Sequence, residues 1–177
     1  EIYTLSLHDA LPIWFSGADE TMTSEDNGME KIEIRKLTAE DYDAVYDLWI
    51  RTPGMGLNTT DDSRAGFAKF IARNPTSCFA AIDGTGLAGV ILAGHDGRRG
   101  YIYHLCVDSE FRRGGLARRL VESALDALER EGIQKAALVV FARNEGGNAF
   151  WEKIGFGVRN DLIYRNRSIH ELERIDT

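Results

Sequence analysis

Three apolar segments in the middle of the chain are joined by connections too short to contain a helix. The segments comprise residues 78–82, 87–93 and 101–107, and they are rich in residue types that strands favour. Residues 83–86 supply the turn residues Asp, Gly, Thr and Gly, and the second connection, residues 95–100, is polar. Parallel strands need a crossover of about a dozen residues, so these segments are predicted to pair in antiparallel fashion.

Helical patterns precede and follow these three segments. A short alternating strand at Ile32 and Ile34 leads into a capping-box pattern at Thr38 and Asp41, which predicts a helix. The apolar stripes of the three clearest helices are Tyr42, Val45, Tyr46 and Trp49; Phe67, Phe70 and Ile71; and Leu116, Leu120, Val121, Ala124, Leu125 and Leu128.

The remaining patterns complete one α/β domain over residues 31–170. We expect a strand over residues 135–141, a short helix over 144–154, and one or two strands within 156–169. The chain has 177 residues, of which 44% are hydrophobic, so a domain of this size can bury a substantial core.

The first thirty residues differ in composition from the rest of the chain. They contain seven of the 28 acidic residues and none of the 21 basic ones, so the remainder is balanced at 21 against 21. Because the remainder has no net positive charge, its overall charge does not favour binding to nucleic acid. Residues 1–13 resemble the conceptual translation of a sequencing-adapter oligonucleotide. We therefore expect residues 1–30 to be a non-native or disordered leader, a natural start at Met22 or Met29, and a tail over 171–177.

Hydropathy and cysteine content exclude several classes of protein. The longest apolar run, residues 87–93, is much shorter than the roughly 20 residues that span a bilayer. Cys78 and Cys106 are too few for a disulfide scaffold, and no Cys or His spacing is typical of zinc. We expect a reduced, cytoplasmic protein with no metal and no membrane or nucleic-acid partner.

A loop with two glycines joins the third strand segment to the strongest helix. N–H groups at the start of a helix lack intrahelical partners, and the helix dipole adds partial positive charge there. Gly114 and Gly115 let a ligand approach the backbone closely, while Arg112, Arg113 and Arg118 supply positive side chains. These features suit a pyrophosphate, although this segment alone also fits a glycine turn followed by solvated arginines.

Two motifs about thirty residues apart resemble those of a known family. Arg112, Gly115 and Ala117 match the R-x-x-G-x-G/A loop of the GNAT superfamily of N-acetyltransferases. Residues 144–156, NEGGNAFWEKIGF, are similar to the family's N-x-x-A-x-x-x-Y-x-K-x-G-F. The resemblance implies an α/β fold with a mixed, mostly antiparallel twisted sheet of six to seven strands, about four helices, and splayed central strands.

The resemblance also implies acetyl-CoA as cosubstrate. A gap between neighbouring strands leaves N–H and C=O groups unpaired, and an amide-bearing ligand can satisfy them. On the family's pattern, the main chain of Leu105 and Val107 would hold the pantetheine arm. The pyrophosphate would lie against the loop and the first helical turn, which comprise Arg112, Arg113, Gly114, Gly115, Leu116, Ala117 and Arg118.

Tyr101, Asn144 and Trp151 are the candidate catalytic residues. Tyr101 lies near the position where some family members carry a catalytic Glu. A tyrosine of ordinary pKa is a poor base, so we favour the interpretation that Tyr101 lines the wall of the substrate pocket. Asn144 matches a residue that often contacts coenzyme A or an ordered water in the family. Trp151 stands where the family has a general-acid Tyr, and an indole N–H cannot deliver a proton at neutral pH, so we interpret it as a pocket residue.

Strand alternation places Tyr103 and Leu105 on one face and His104 on the opposite face, which favours a satisfied core histidine. In the polar loop before the second helix, Asp61 and Asp62 could bind an ammonium group of a substrate or cap the helix. Both interpretations of the aspartates stay open on the sequence.

These expectations combine into one main function and two alternatives. The main one is transfer of an acetyl group from acetyl-CoA to a primary amine of a small molecule or an amino-acid-like substrate, by direct attack of the amine. The alternatives are acetylation of a protein N-terminus or lysine, and a CoA-binding sensor or interaction module without catalysis. Residues 160–169 could form a sheet edge that pairs two copies into a homodimer.

Overall fold

The structure is a computed structural model that describes residues 32–84 and 86–175. The expectations for the leader, including residues 1–13 and the choice between Met22 and Met29, lie outside the described residues. Within the described part of the chain, no helix has the length and apolar character needed to cross a membrane.

A mixed five-stranded sheet forms the centre of the fold, with a separate two-stranded pair beside it. The strands in chain order are β1 (Glu33–Lys36), β2 (Leu57–Asn58), β3 (Phe79–Ile82), β4 (Leu87–His95), β5 (Gly100–Val107), β6 (Ala136–Leu138) and β7 (Arg174–Ile175). The order in the large sheet is β1-β3-β4-β5-β6, and β2 pairs with β7. Neighbours in the large sheet are antiparallel except β5 and β6, which are parallel. The predicted antiparallel pairing of the three central segments, which are β3, β4 and β5, is therefore confirmed.

Among the described residues, four α-helices cover the two faces of the large sheet. They are α1 (Tyr42–Ile50), α2 (Arg64–Arg73), α3 (Leu116–Arg130) and α4 (Glu145–Lys153). The backbone N–H of Thr38 donates to the Asp41 carboxylate at 2.8 Å before α1, as the capping-box pattern predicts. Ser63 caps α2 by accepting from the backbone N–H of Gly66 at 3.1 Å, so neither neighbouring aspartate serves as the cap.

Two apolar cores lie on opposite faces of the sheet. On one face, α3 and α4 bury residues such as Leu120 and Trp151 against Ile91 and Ile102. On the other, α1 and α2 pack their apolar stripes against Val90, Leu92 and Cys106. β4 is buried along nearly its whole length because it contributes side chains to both cores, which explains why residues 87–93 form a continuous apolar run.

The C-terminal part of the predicted fold needs correction. Residues 157–173 contain no strand, so the prediction of strands within residues 156–169 was wrong for the described chain. Residues 174–175 form a short strand instead, which pairs with Leu57 and Asn58 in a region predicted to be a loop. The strand expected over residues 135–141 is limited to Ala136–Leu138. Single-chain alternation cannot anticipate these features, because they depend on partners distant in sequence.

β5 contains one residue more than its partner β4 requires. His104 is opposite Leu92, whereas Ile102 is opposite Ala93, so Tyr103 is the extra residue of a β-bulge. As a result, Ile102 and Leu105 both pack into the core beneath α3, and His104 and Cys106 face α1. The predicted alternation is therefore wrong here: Tyr103, like His104, contacts the α1 and α2 layer, with its ring 5.0 Å from that of Phe70.

Candidate active site

β5 and β6 are paired at one end and separate at the other. Residues 100–102 of β5 are in register with residues 136–138 of β6, and the strand β6 ends at Leu138. Residues 103–107 of β5 have no strand partner on that side within the described chain. The splayed central strands that the resemblance implied are therefore present.

The hydrogen bonds between β4 and β5 determine which groups face this gap. Asp108 donates its backbone N–H to the Ala88 carbonyl at 3.0 Å. Because the ladder of an antiparallel pair alternates, the main-chain groups of Cys106 also point toward β4. Those of Leu105 and Val107 consequently point away from β4, into the gap.

The glycine loop at the mouth of the gap exposes a row of backbone donors. Arg113 and Gly115 both adopt left-handed conformations, with φ of 66° and 82°. Arg113 is the one non-glycine residue with this conformation among those the structure describes. Among the hydrogen bonds of the described chain, none is donated by the backbone N–H groups of residues 113–118. This arrangement fits an anionic group such as a pyrophosphate, because the donors surround the N-terminus of α3.

The three arginines near the loop have different surroundings. Arg112 donates from Nε to the Val107 carbonyl at 3.0 Å, so its side chain ties the loop to the end of β5. Arg118 pairs with Glu122 one turn later on α3, at 2.7 Å. Arg113 is exposed. The Val107 carbonyl is therefore already used by the protein, and its N–H is the group left for a ligand.

A cavity of about 510 Å³ occupies the gap. Its walls come from the loop after α1, the open part of β5, residues 138–141 and the start of α3. Trp151 lies in the wall with 9% of its surface exposed, and its ring is 5.1 Å from those of Phe150 and Phe156. Asn144 also borders the cavity, and its Oδ1 caps α4 by accepting from the Gly147 N–H at 2.9 Å.

Tyr101 does not border this cavity. It lies on the paired half of β5 and borders a second cavity with Tyr103, whose ring is 4.9 Å away. Burial raises the pKa of the Tyr101 hydroxyl, which makes it a weaker candidate for a base. The structure therefore brings Asn144 and Trp151 together but leaves Tyr101 apart.

His104 borders the cavity, although alternation predicted that it would face away. Its Nε2 lies 2.8 Å from Oδ1 of Asp62, and its ring is 4.8 Å from that of Trp49. No residue type around position 103 signals a bulge, so this pair could not be predicted from the sequence. Asp62 was considered only as a helix cap or an ammonium ligand.

The loop after α1 closes the outer side of the gap. Gly56 has φ of 69°, and a Cβ atom there would lie 2.9 Å from the Phe141 ring. Thr52, from the same loop, lies with its hydroxyl 3.2 Å from the Cys106 sulfur. Burial raises the pKa of the Cys106 thiol, so this cysteine is a poor nucleophile at neutral pH.

The end of β5 is fixed by Asp108. Its carboxylate accepts from the Glu110 backbone N–H at 3.1 Å and from Arg51 at 2.5 Å. These hydrogen bonds, that of the backbone N–H first, lower the pKa of the Asp108 carboxyl. Within the described residues there is no group of three or more His, Cys, Asp or Glu side chains that could hold a metal ion.

Comparison with known proteins agrees with this geometry. The family model for the acetyltransferase (GNAT) family matches residues 42–156. The chain belongs to this family, which confirms the resemblance seen in its two motifs. It is an acyltransferase, and acetyl-CoA is its cosubstrate.

Its relatives differ in what they are named for. An N-alpha-acetyltransferase 30 of Schizosaccharomyces pombe is 30% identical over 108 residues, which are 58% of this chain and 71% of the relative. An acetyltransferase of Photorhabdus laumondii is 29% identical over 144 residues, 80% of this chain and 99% of the relative. The PaiA N-acetyltransferase of Thermoplasma acidophilum, solved with coenzyme A, superposes with a TM-score of 0.64 at 19% identity, covering 82% of this chain and 99% of that one.

Proposed function

We propose that the protein transfers an acetyl group from acetyl-CoA to a primary amine of a small or amino-acid-like molecule, by direct attack of the amine. The observation that carries the proposal is the gap between β5 and β6, which has a row of free N–H groups at its mouth. Acetyl-CoA supplies an activated acyl carbon, and the protein's contribution is to hold and orient the two reactants.

The proposed cosubstrate site follows the gap from the loop inward. The N–H groups of residues 113–118 would bind the pyrophosphate, with Arg112 fixing the loop. The N–H and C=O groups of Leu105 and the N–H of Val107 would pair with the pantetheine amides, since no strand competes for them among the described residues. Asn144 and Trp151 would form the inner wall.

The closed outer side of the gap supports a small acceptor. Gly56 and Phe141 approach so closely that even one added methyl group would collide with the ring. Arg143 and Arg174 stack on the same ring, 4.4 and 5.4 Å from its centroid, and restrict its movement. A cavity of about 510 Å³ is of the size that holds small ligands.

Acetylation of a protein N-terminus is the second candidate. It is supported by the similarity to an N-alpha-acetyltransferase 30, a protein named for that activity. A peptide acceptor would require the contact between Gly56 and Phe141 to open, so the two candidates differ in a property that can be measured.

A thiol-release assay with acetyl-CoA tests the proposal. We expect turnover with free amines and amino acids, and kcat/KM at least about tenfold lower with hexapeptides of varied N-terminal residue, because opening the contact costs free energy. The opposite ranking would contradict the small-acceptor proposal in favour of protein acetylation. Binding of CoA by calorimetry without thiol release from any acceptor would instead indicate a non-catalytic CoA-binding module.

A further inference from the structure

A buried carboxylate and an imidazole form a pair on the wall of the cavity. Asp62 is 6% exposed, and its Oδ1 is 2.8 Å from Nε2 of His104. The other oxygen, Oδ2, accepts the backbone N–H of Asn58 at 2.7 Å. The hydroxyl of Tyr42 donates to the Asp62 carbonyl at 3.1 Å, which fixes the backbone of this residue as well. Asp62 is thus held from three directions, with one oxygen directed at the histidine.

This contact determines which nitrogen of His104 carries the proton. A carboxylate can only accept hydrogen bonds, so Nε2 must be the protonated nitrogen and must donate to Oδ1. In the neutral ring Nδ1 is then unprotonated, and its lone pair is available. The bulge at Tyr103 directs the ring toward α1, where Trp49 packs against it.

The free nitrogen of His104 is accessible. Trp49 Nε1 is the one buried side-chain polar atom without a hydrogen-bond partner within the described chain. Nδ1 of His104 has no protein partner in that part of the chain either, so it must be reached by solvent. His104 is among the residues that border the 510 Å³ cavity, so this cavity is the route by which solvent and an acceptor amine would reach the ring.

The second His–carboxylate pair of the described residues shows a different arrangement. His95 Nε2 lies 2.8 Å from Oε2 of Glu131, so the ring has the same kind of partner. However, its Nδ1 accepts the backbone N–H of Gly97 at 3.1 Å. Both nitrogens of His95 are therefore used in holding a turn, whereas His104 has one nitrogen left over.

The other titratable groups around His104 do not compete for this role. Burial raises the pKa of the Tyr103 hydroxyl and the Cys106 thiol, so both keep their protons at neutral pH. Arg112 borders the same cavity and is permanently protonated. Trp49 from α1 does not titrate, and Asp62 from the loop before α2 is engaged by hydrogen bonds.

We propose that His104 is the general base of the reaction and that Asp62 is the residue that positions it, an inference that rests on the proposed function. Nδ1 accepts a proton from the acceptor ammonium, and the freed nitrogen lone pair forms the C–N bond to the acetyl carbon. The C–S bond breaks, and its electron pair leaves on sulfur. The second proton lost by the nitrogen neutralises the thiolate, and the proton on His104 passes to solvent.

The first test needs no substrate. In nitrogen-15 side-chain spectra of the full chain near pH 8, we expect His104 as the Nε2–H tautomer with an unprotonated Nδ1. Asp62→Asn removes the obligate acceptor, because an amide can also donate to Nε2, so the Nδ1–H form should gain population. An Nδ1–H tautomer of His104 in the unmodified protein would overturn the proposal.

The second test is the pH dependence of kcat/KM for an alkyl amine. His104→Gln should lower kcat/KM about 100-fold or more near pH 7. The loss should shrink toward pH 10, because the amine, whose pKa is about 10, then loses its proton unaided. Asp62→Asn should cause a smaller loss with the same pH trend. A loss of equal size at every pH, or no loss, would show a structural role and overturn the proposal.

His95→Gln is the matched control, since it removes the other His–carboxylate pair. We expect an unchanged pH profile from it. Thermal unfolding of each variant verifies that it is folded, and Asp62→Asn keeps the test decisive if His104→Gln does not fold. If the unmodified protein released no thiol with any acceptor, the proposed function itself would fail, and the spectra would still decide the state of His104.

Discussion

The two halves of β5 belong to one continuous strand but have opposite surroundings. In the half that pairs with β6, a Cβ atom on Gly100 would lie 2.8 Å from the Leu128 side chain, so this half packs closely against α3. In the other half, Leu105 and Val107 face a cavity of about 510 Å³. The fold therefore separates packing from ligand binding along a single strand, over a distance of a few residues.

This separation follows from where the main-chain hydrogen bonds are made. β4 pairs with β5 from Gly100 to Val107 except at the bulge residue Tyr103, so the strand is held even where β6 has ended. The opposite side can remain open without loss of the sheet, because pairing with β4 and two apolar cores keep β5 in place.

Proline substitutions at adjacent positions would test this comparison most severely. Cys106→Pro removes an N–H that points toward β4 and leaves a buried acceptor unpaired, so we expect the free energy of unfolding to fall by at least about 2 kcal/mol. Val107→Pro removes an N–H that points into the gap, so we expect less destabilisation but about tenfold weaker CoA binding. Urea unfolding and calorimetry measure both. Equal destabilisation by the two prolines would contradict the assigned ladder.

An arginine substitution would sharpen the comparison at the mouth of the gap. Arg112→Ala removes the hydrogen bond to the Val107 carbonyl, so the loop loses its attachment to β5. We expect CoA affinity to fall about tenfold while folding is retained, a change that fits the loss of one charged hydrogen bond. Arg130→Ala, at the exposed far end of α3, removes the same charge and should leave affinity unchanged. Unchanged affinity in Arg112→Ala would refute its placement.

The smallest predicted effect is the pH-dependent contribution of Asp108, at the open end of β5, to the free energy of unfolding. The pKa of the Asp108 carboxyl is lowered in the folded state, so its contribution to stability is present above the unfolded pKa of about 3.9 and is lost as pH falls through the lower folded value. We expect Asp108→Asn to cost up to about 1 kcal/mol at pH 7 and nothing near pH 2. Asp126→Asn, an exposed carboxylate on α3, is the control. A difference that persisted in acid would show that charge is not the cause.

Features with a local physical cause could be predicted from the sequence. The turn residues Asp83 and Gly86 and the apolar stripe of α3 each depend on a few neighbouring residues, and the structure contains both features: the Asp83 N–H donates to the Gly86 carbonyl at 3.2 Å, and α3 buries its stripe. The gap between β5 and β6 was an implication of the family resemblance that the two motifs carry, and the structure contains it. Asn144 at the start of α4 was identified by its motif, and its side chain caps that helix.

Features that depend on distant partners could not be predicted. Residues 136–141 form a continuous apolar run, so nothing in them shows that the strand ends at Leu138. The pairing of β2 with β7 joins segments more than a hundred residues apart. The contact of Asp62 with His104 depends on the bulge at Tyr103, and no Gly or Pro indicates it. Tyr101 was a candidate because the family's pattern has a catalytic Glu near its position, whereas its pairing with β6 keeps it outside the residues that border the cavity.

Because Tyr103 is an extra residue, the alternation of side chains in one half of β5 does not determine the alternation in the other half. In a regular strand, Ile102 and Leu105 would project to opposite sides, and one of them would be lost from the layer beneath α3. With the extra residue, both remain there, and two consecutive side chains project toward α1 and α2. The side chains that border the cavity from β5 are therefore set in register separately from those that pack in the paired half of the strand.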